Sequence, residues 1–221
     1  MRQKTERGAV AFRERLLTKD AICIDIFSEP LMASPLPPTF SYRQARALGL
    51  SKRALYALRD SGEIESLSHG LYRRRDAANA DEDLIEIARR SPNATLCLAT
   101  ALSRYDLSDE ITAAPDLAIP RGSHAPATRA PVRWHRFDPD TFEIGRELLP
   151  IDPTTAIGLY SPERCIVDAF RMRGREGHEM ANEALKRWLR RPRIQPAALL
   201  ALAERFPRAA TPLRRALEVL L

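Results

Sequence analysis

Between Ser51 and Asp60 the chain sets Lys52, Arg53, Tyr56 and Arg59 at positions that a helix turns outward, while Ala54, Leu55 and Leu58 fall on the inward stripe. The chemistry open to such a face is recognition of a polyanion. Unpaired first-turn amides and the positive end of the helix dipole let Ser51 and its backbone take a phosphate. Lys52 and Arg53 lie on that first turn, nearest any base edges, where arginine pairs bidentately with guanine. Tyr56 and Arg59, further along, reach a phosphate backbone more readily than bases. Charge alone fits a solvated helix surface equally well, so the surrounding elements decide.

Catalytic chemistry finds less support. Pro115-Asp116 on an expected strand resembles the start of a PD-(D/E)xK nuclease pattern, but no ExK triplet follows. The nearest candidate, Glu143-Ile144-Gly145, lacks the lysine that positions the attacking water. Asp168 follows Arg164 by four residues and reads as a helix-surface ion pair worth a few tenths of a kcal/mol. His124, His135 and His178 fall on a loop, a strand and a Gly-rich turn with no carboxylate or thiol at ligand spacing. Cys23, Cys97 and Cys165 are odd in number and far apart, which suits core thiols better than disulfides or zinc. No dinucleotide, Walker or nucleophile-elbow motif is present. The expectation is a protein without catalytic, cofactor or metal sites.

Outward from Ser51, each neighbouring segment carries its own signal. Ser41 is placed to cap a short helix over Tyr42 to Leu48, with Ala45 and Leu48 inward, and Gly49 ends it. After a sharp turn Ser51 caps a second helix from Lys52 to about Asp60, and Gly62 stops it. From Glu63 to Arg74, Ile64, Leu67 and Leu71 alternate with polar residues around Ser68, His69 and Gly70, as in a hairpin. Two short helices, a tight glycine turn and a two-stranded wing make a winged helix-turn-helix, whose second helix is shaped for the DNA major groove. His69 at the wing tip can enter a minor groove or touch phosphate. Ser41, Arg43 and Arg73 complete the expected set of DNA-contacting residues.

The charge distribution agrees. Residues 39–75 hold eight Lys/Arg against three Asp/Glu, whereas residues 1–38 hold six against five and residues 76–221 hold 21 of each, of a net +6. DNA binding is therefore expected within the first 80 or so residues. With 221 residues, 44% of them hydrophobic and 29% charged, the chain reads as a soluble globular protein. No window is apolar enough to span a membrane, so a cytoplasmic, nucleoid-associated location is expected.

The expected fold class is α+β: an N-terminal winged helix-turn-helix, then a mixed α/β domain ending in helices. Residues 1–38 form an extension whose apolar stretch 9–30 supplies a first helix, and Pro30, Pro35, Pro37 and Pro38 set it apart. Residues 39–80 are the winged module. Residues 81–93 form a connecting helix with Leu84, Ile87 and Ala88 inward, and residues 94–221 the second domain. There a helix over Leu98 to Tyr105 and strands over Asp116 to Pro120, Val132 to Phe137 and Ile157 to Tyr160 are expected. Ser161-Pro162-Glu163 opens a helix that buries Cys165, Ile166, Ala169 and Phe170. Three amphipathic stripes come after it: Ala181, Ala184, Leu185 and Trp188; Leu199, Leu202 and Ala203; and, after Thr211-Pro212, Leu213, Ala216, Leu217 and Leu220.

The residues Phe40-Ser41-Tyr42-Arg43-Gln44-Ala45, Leu48-Gly49-Leu50-Ser51, Leu55, Leu58, Ser61-Gly62 and His69-Gly70-Leu71-Tyr72 resemble the N-terminal domain of AbiEi-type antitoxins. Ala101-Leu102 with Tyr105-Asp106-Leu107, Asp116 to Gly122, and Ser161 to Asp168 look like ordered landmarks of that family's second domain. The resemblance spans roughly residues 39–190 and departs from the family in the long N-terminal extension and in Cys165 where a threonine is expected. It implies a type IV toxin–antitoxin antitoxin: a winged-helix autorepressor whose C-terminal domain opposes a nucleotidyltransferase-like toxin without forming a stable complex. Double-stranded DNA is the implied partner. One winged helix reads too few base pairs to select an operator, so two copies on an inverted repeat are expected, monomeric in solution and paired on DNA. The competing readings are a stand-alone winged-helix regulator with a ligand- or protein-binding second domain and, remotely, a DNA-binding nuclease.

Overall fold

Short polar caps start the winged module, as their spacing predicts. In this computed structural model, which describes residues 36–176 and 178–221, β1 (Thr39–Ser41) runs directly into α1 (Tyr42–Ala47). The Ser41 hydroxyl accepts from the Gln44 amide and the Gln44 side chain accepts from the Ser41 amide, a reciprocal capping box. Gly49 takes the turn at φ +89, a conformation that favours glycine, and Ser51 caps α2 (Lys52–Asp60) by accepting from the Ala54 amide. The hairpin comes next as β2 (Ile64–Ser68) and β3 (Leu71–Arg74), turning through His69 and Gly70. The first helix expected within residues 9–30, and Cys23, lie outside the described residues.

The wing has a third strand that apolar alternation does not reveal. β1 pairs antiparallel with β3, giving the order β1-β3-β2. Phe40, Ala45, Leu55, Ile64 and Tyr72 form the module's core, with Phe40 and Tyr72 stacked at 5.9 Å. Two expected core positions are exposed instead. α1 ends at Ala47, so Leu48 falls at its C-cap and off the buried stripe. Ala54 lies in the exposed opening turn of α2, leaving Leu55 as that helix's buried anchor.

α3 (Glu82–Arg90), capped by Asp81, is buried on two sides. Ile85 packs with Leu67 and Leu71 of the wing, while Leu84, Ile87 and Ala88 enter the larger core built by residues 94–221. The described residues consequently belong to one compact unit. Beyond α3 a five-stranded mixed sheet has the order β6-β5-β4-β8-β7, built from β4 (Thr95–Leu96), β5 (Asp116–Pro120), β6 (Arg133–Phe137), β7 (Arg146–Asp152) and β8 (Thr155–Tyr160). The central pair β4/β8 and the edge pair β5/β6 are parallel. β5, β6 and β8 lie close to where the apolar alternation places them. β4, only two residues long, and β7, an edge strand containing Pro150, carry no such signal.

Helices α4 (Leu98–Arg104), α5 (Pro139–Phe142), α6 (Pro162–Glu176), α7 (His178–Leu189), α8 (Pro196–Glu204) and α9 (Pro207–Leu220) complete the fold. α6 packs against α4, α7, α8 and α9, which overturns the surface reading of Arg164 and Asp168. Both side chains are fully buried, because other elements enclose residues 164–170 of α6 on every side. α9 also begins earlier than expected: Pro207 occupies its first turn and Pro212 lies inside it. Pro212 has no N–H to give the Arg208 carbonyl, and Arg173 Nη1 donates to that oxygen instead, at 3.4 Å.

Candidate nucleic-acid interface

α2 projects its cations as the residue spacing predicts. Ser51, Lys52, Arg53, Tyr56 and Arg59 are all exposed. Tyr56 is sandwiched between charges, with Lys52 Nζ 5.6 Å and the Arg59 guanidinium 4.7 Å from its ring centroid. These cation–π contacts hold two flexible side chains against a rigid ring and reduce the entropy lost when they meet a ligand. Lys52, Arg53, Tyr56, Ala57 and Asp60 line a shallow recess. The sequence reading did not include Asp60 in this face. Its carboxylate accepts from Arg59 Nε and Nη2 at 3.1 and 2.9 Å, and this bond and charge hold the guanidinium still more firmly protonated.

A second recess gathers Ser41 and His69, together with Gln44, Gly70, Arg89 and Arg90. The Tyr42 amide donates to the Gly70 carbonyl at 2.8 Å, fixing the wing turn against the start of α1. His69 is exposed at that turn, and Arg43 is exposed on α1.

Arg73 does not join either group, and its expected DNA contact is corrected by its burial. It is 3% exposed, with Nη1 donating to Thr39 Oγ1 at 3.0 Å and lying 3.4 Å from Asp152 Oδ2, and Nη2 donating to the Ala78 carbonyl. Asp152 also accepts from Thr39 Oγ1 at 2.9 Å and from the Thr154 amide at 2.7 Å. Burial alone would raise the Asp152 pKa, but these hydrogen bonds outweigh it and hold the carboxyl below the usual range. Arg89 of α3 reinforces the junction, donating to the Thr39 carbonyl at 3.2 Å and to Thr155 Oγ1 at 3.1 Å. The cation that alternation places on the wing thus fastens the wing to β7.

Asp116 has partners that linear spacing concealed. The parallel register of β5 and β6 sets Asp116 opposite Arg133 and close to His135. Arg133 donates to both carboxylate oxygens at 2.8 and 2.9 Å, and His135 Nε2 lies 2.9 Å from Oδ1. Burial would push this carboxyl up, yet the bonds from His135 and Arg133 prevail and its pKa is lowered. Among the described residues no group of three or more His, Cys, Asp or Glu could hold a metal ion.

Two short helices about a glycine turn, followed by a three-stranded wing, define a winged helix-turn-helix module with a cationic second helix. Residues 36–75, which are that module, match the family described as "Transcriptional regulator, AbiEi antitoxin", the family that these residues resemble. The crystal structure of the Rv2827c protein from Mycobacterium tuberculosis is similar at 16% identity and a TM-score of 0.48, over 85% of this chain and 77% of that one. No curated protein matches the sequence. No helix among the described residues is long and apolar enough to cross a membrane.

Proposed function

We propose that the chain is a sequence-specific DNA-binding repressor of its own operon and the antitoxin of a type IV pair, opposing a nucleotidyltransferase-like toxin through its C-terminal domain. The observation that carries the DNA-binding half is the exposed face of α2, where Lys52 and Arg53 sit on a serine-capped first turn and Tyr56 braces Lys52 and Arg59. In this reading the first turn of α2 enters the major groove, Arg53 forks onto a guanine and Lys52 lies beside it. Ser51 and the α2 amides, Arg59 and Arg43 hold phosphates, and His69 reaches the flanking backbone or minor groove. Bound over its promoter, the protein excludes polymerase.

The test is a reporter under the DNA upstream of the protein's own gene. Repression is expected with the parent chain and its loss with Lys52→Ala/Arg53→Ala. Unchanged repression by that variant overturns the assignment. The antitoxin half rests on the family description, and co-expression with a neighbouring nucleotidyltransferase-like gene tests it through restored growth.

The family match ends at residue 75, which favours one second reading: a stand-alone regulator whose second domain binds a ligand or protein. Failure to restore growth in co-expression with repression intact would select it. A non-catalytic second domain is part of both readings, supported by Asp116, whose two oxygens are engaged by Arg133 and His135.

A further inference from the structure

α8 has no polar face. It consists of proline, alanine and leucine up to Glu204, its one charged residue. A helix apolar all round is ordinarily enclosed, yet α8 buries only Leu199 and Ala203, and Ala197, Ala198 and Ala201 are exposed. Ala197, Leu200 and Ala201 form one wall of a groove of about 490 Å³, and Leu217 and Leu221, continuing from α9, form the other. Each set follows three- and four-residue spacing, so each helix turns one face to the groove.

Charges of both signs stand at the rim: Glu204 of α8, and Arg214 and Glu218 of α9. Arg214 Nη2 lies 3.6 Å from Glu204 Oε1, with both side chains more than half exposed. So long and solvated an ion pair contributes little and leaves both charges open to a closer partner.

We propose that a second copy of this chain covers the groove, with the α8–α9 pairs of the two copies facing each other about a two-fold axis. The proposal deepens the proposed function and rests on its pairing of two copies over an inverted repeat, whose symmetry calls for a contact made by the same patch on both. The patch is complementary to itself. In antiparallel α9 helices related by the axis, Arg214 of each copy meets Glu218 of the other, and the alanines at 197 and 201 let helices approach closely. It is also small. Its apolar part is five side chains, against about 20 to 30 residues a side in a stable complex. Free copies therefore separate when dilute and pair once DNA holds them at an effective concentration in the millimolar range.

Gel-shift titrations of the full chain on the inverted repeat upstream of the gene, and on a single half-site, test this with Ala201→Glu, which adds a charge at an exposed helix position. The parent should fill the second half-site about tenfold more tightly than the first. Ala201→Glu should remove that difference while binding the single half-site as the parent does. Arg214→Glu and Glu218→Arg should each remove it too, because like charges then face one another across the axis. Mixed in equal amounts these two variants should regain it, since every facing pair becomes opposite in sign, whereas an effect confined to one chain would not respond to mixing. Sedimentation of concentrated free protein reads the same contact without DNA: the parent should self-associate reversibly and Ala201→Glu should not, so failure of α2 to bind DNA is distinguished from failure of this surface. Identical titrations for parent and Ala201→Glu, or no recovery on mixing, overturn the proposal. So does an Ala201→Glu protein that pairs normally but no longer restores growth beside the nucleotidyltransferase-like gene, which would give the groove to that partner.

Discussion

Asp60 places a carboxylate on the face that Lys52, Arg53 and Arg59 otherwise make cationic. It orients Arg59 in the free protein and repels a phosphate brought to the same recess. Asp60→Asn should therefore tighten binding to specific and random DNA alike, by roughly threefold, the order expected for one exposed charge. Arg53→Ala should relax sequence preference at a cost of about 1 to 3 kcal/mol, whereas Arg59→Ala should weaken all sequences equally. Gel shifts on the upstream region and on random competitor distinguish these outcomes, and equal effects of the two arginine substitutions would show the contacts to be misassigned. Deeper in the molecule, Arg164 Nε donates to Asp168 at 2.9 Å, Nη1 donates to the Thr141 and Ile144 carbonyls, and the guanidinium packs 4.3 Å from the Tyr160 centroid and 4.4 Å from that of Phe206. Asp168→Ala would strand that buried cation and should destabilise the fold by about 3 to 5 kcal/mol, read from the denaturant midpoint. The four-residue spacing of this pair was legible in the sequence. Its burial was not, because a charged i, i+4 pair looks the same on a solvated helix and on one enclosed by others.

The element that joins the winged module to the second sheet is the β7–β8 corner, through Asp152. Its partners Thr39 and Arg73 come from β1 and β3, and Arg89 adds α3. Asp152→Ala should loosen the wing before the rest of the molecule, splitting a single unfolding transition in two by circular dichroism. Acid should act on the same joint. Asp152 and Asp116 have folded pKa values held below their unfolded values. The stability they contribute is complete above the unfolded value near pH 4 and is lost as pH falls through the folded values. The melting temperature should thus drop below about pH 4, and Asp152→Asn should blunt that drop; an unchanged acid dependence would remove Asp152 from this role. Elements whose signals are local could be read from the chain. The capping serines, the glycine turn at Gly49, the hairpin and the apolar stripes of α6 and α7 depend on neighbours within a turn or two. What escaped depends on pairing between distant segments: β1 beside β3, the short β4, the edge strand β7, and the register that sets Asp116 against Arg133 and His135. Arg73 illustrates the difference, since its alternation along β3 carries no information about the carboxylate waiting on β7.

Across the whole molecule, the cationic excess lies in residues 39–75, with eight Lys/Arg against three Asp/Glu, and the balance of residues 76–221 is 21 of each. Each base pair contributes roughly 1 to 3 kcal/mol of discrimination, so one copy on one half-site falls short of operator selection. Free protein should sediment as monomer and pair on an inverted repeat. A gel-shift titration of the region upstream of the gene, with parent protein and Lys52→Ala/Arg53→Ala against excess random duplex, tests the central claim most directly. The parent should give two successive competitor-resistant bands, with a half-site bound far more weakly, and the variant should give neither band. Competitor-resistant binding that survives Lys52→Ala/Arg53→Ala, or no preference for the upstream region by the parent, would contradict the assignment of α2 as the reading helix.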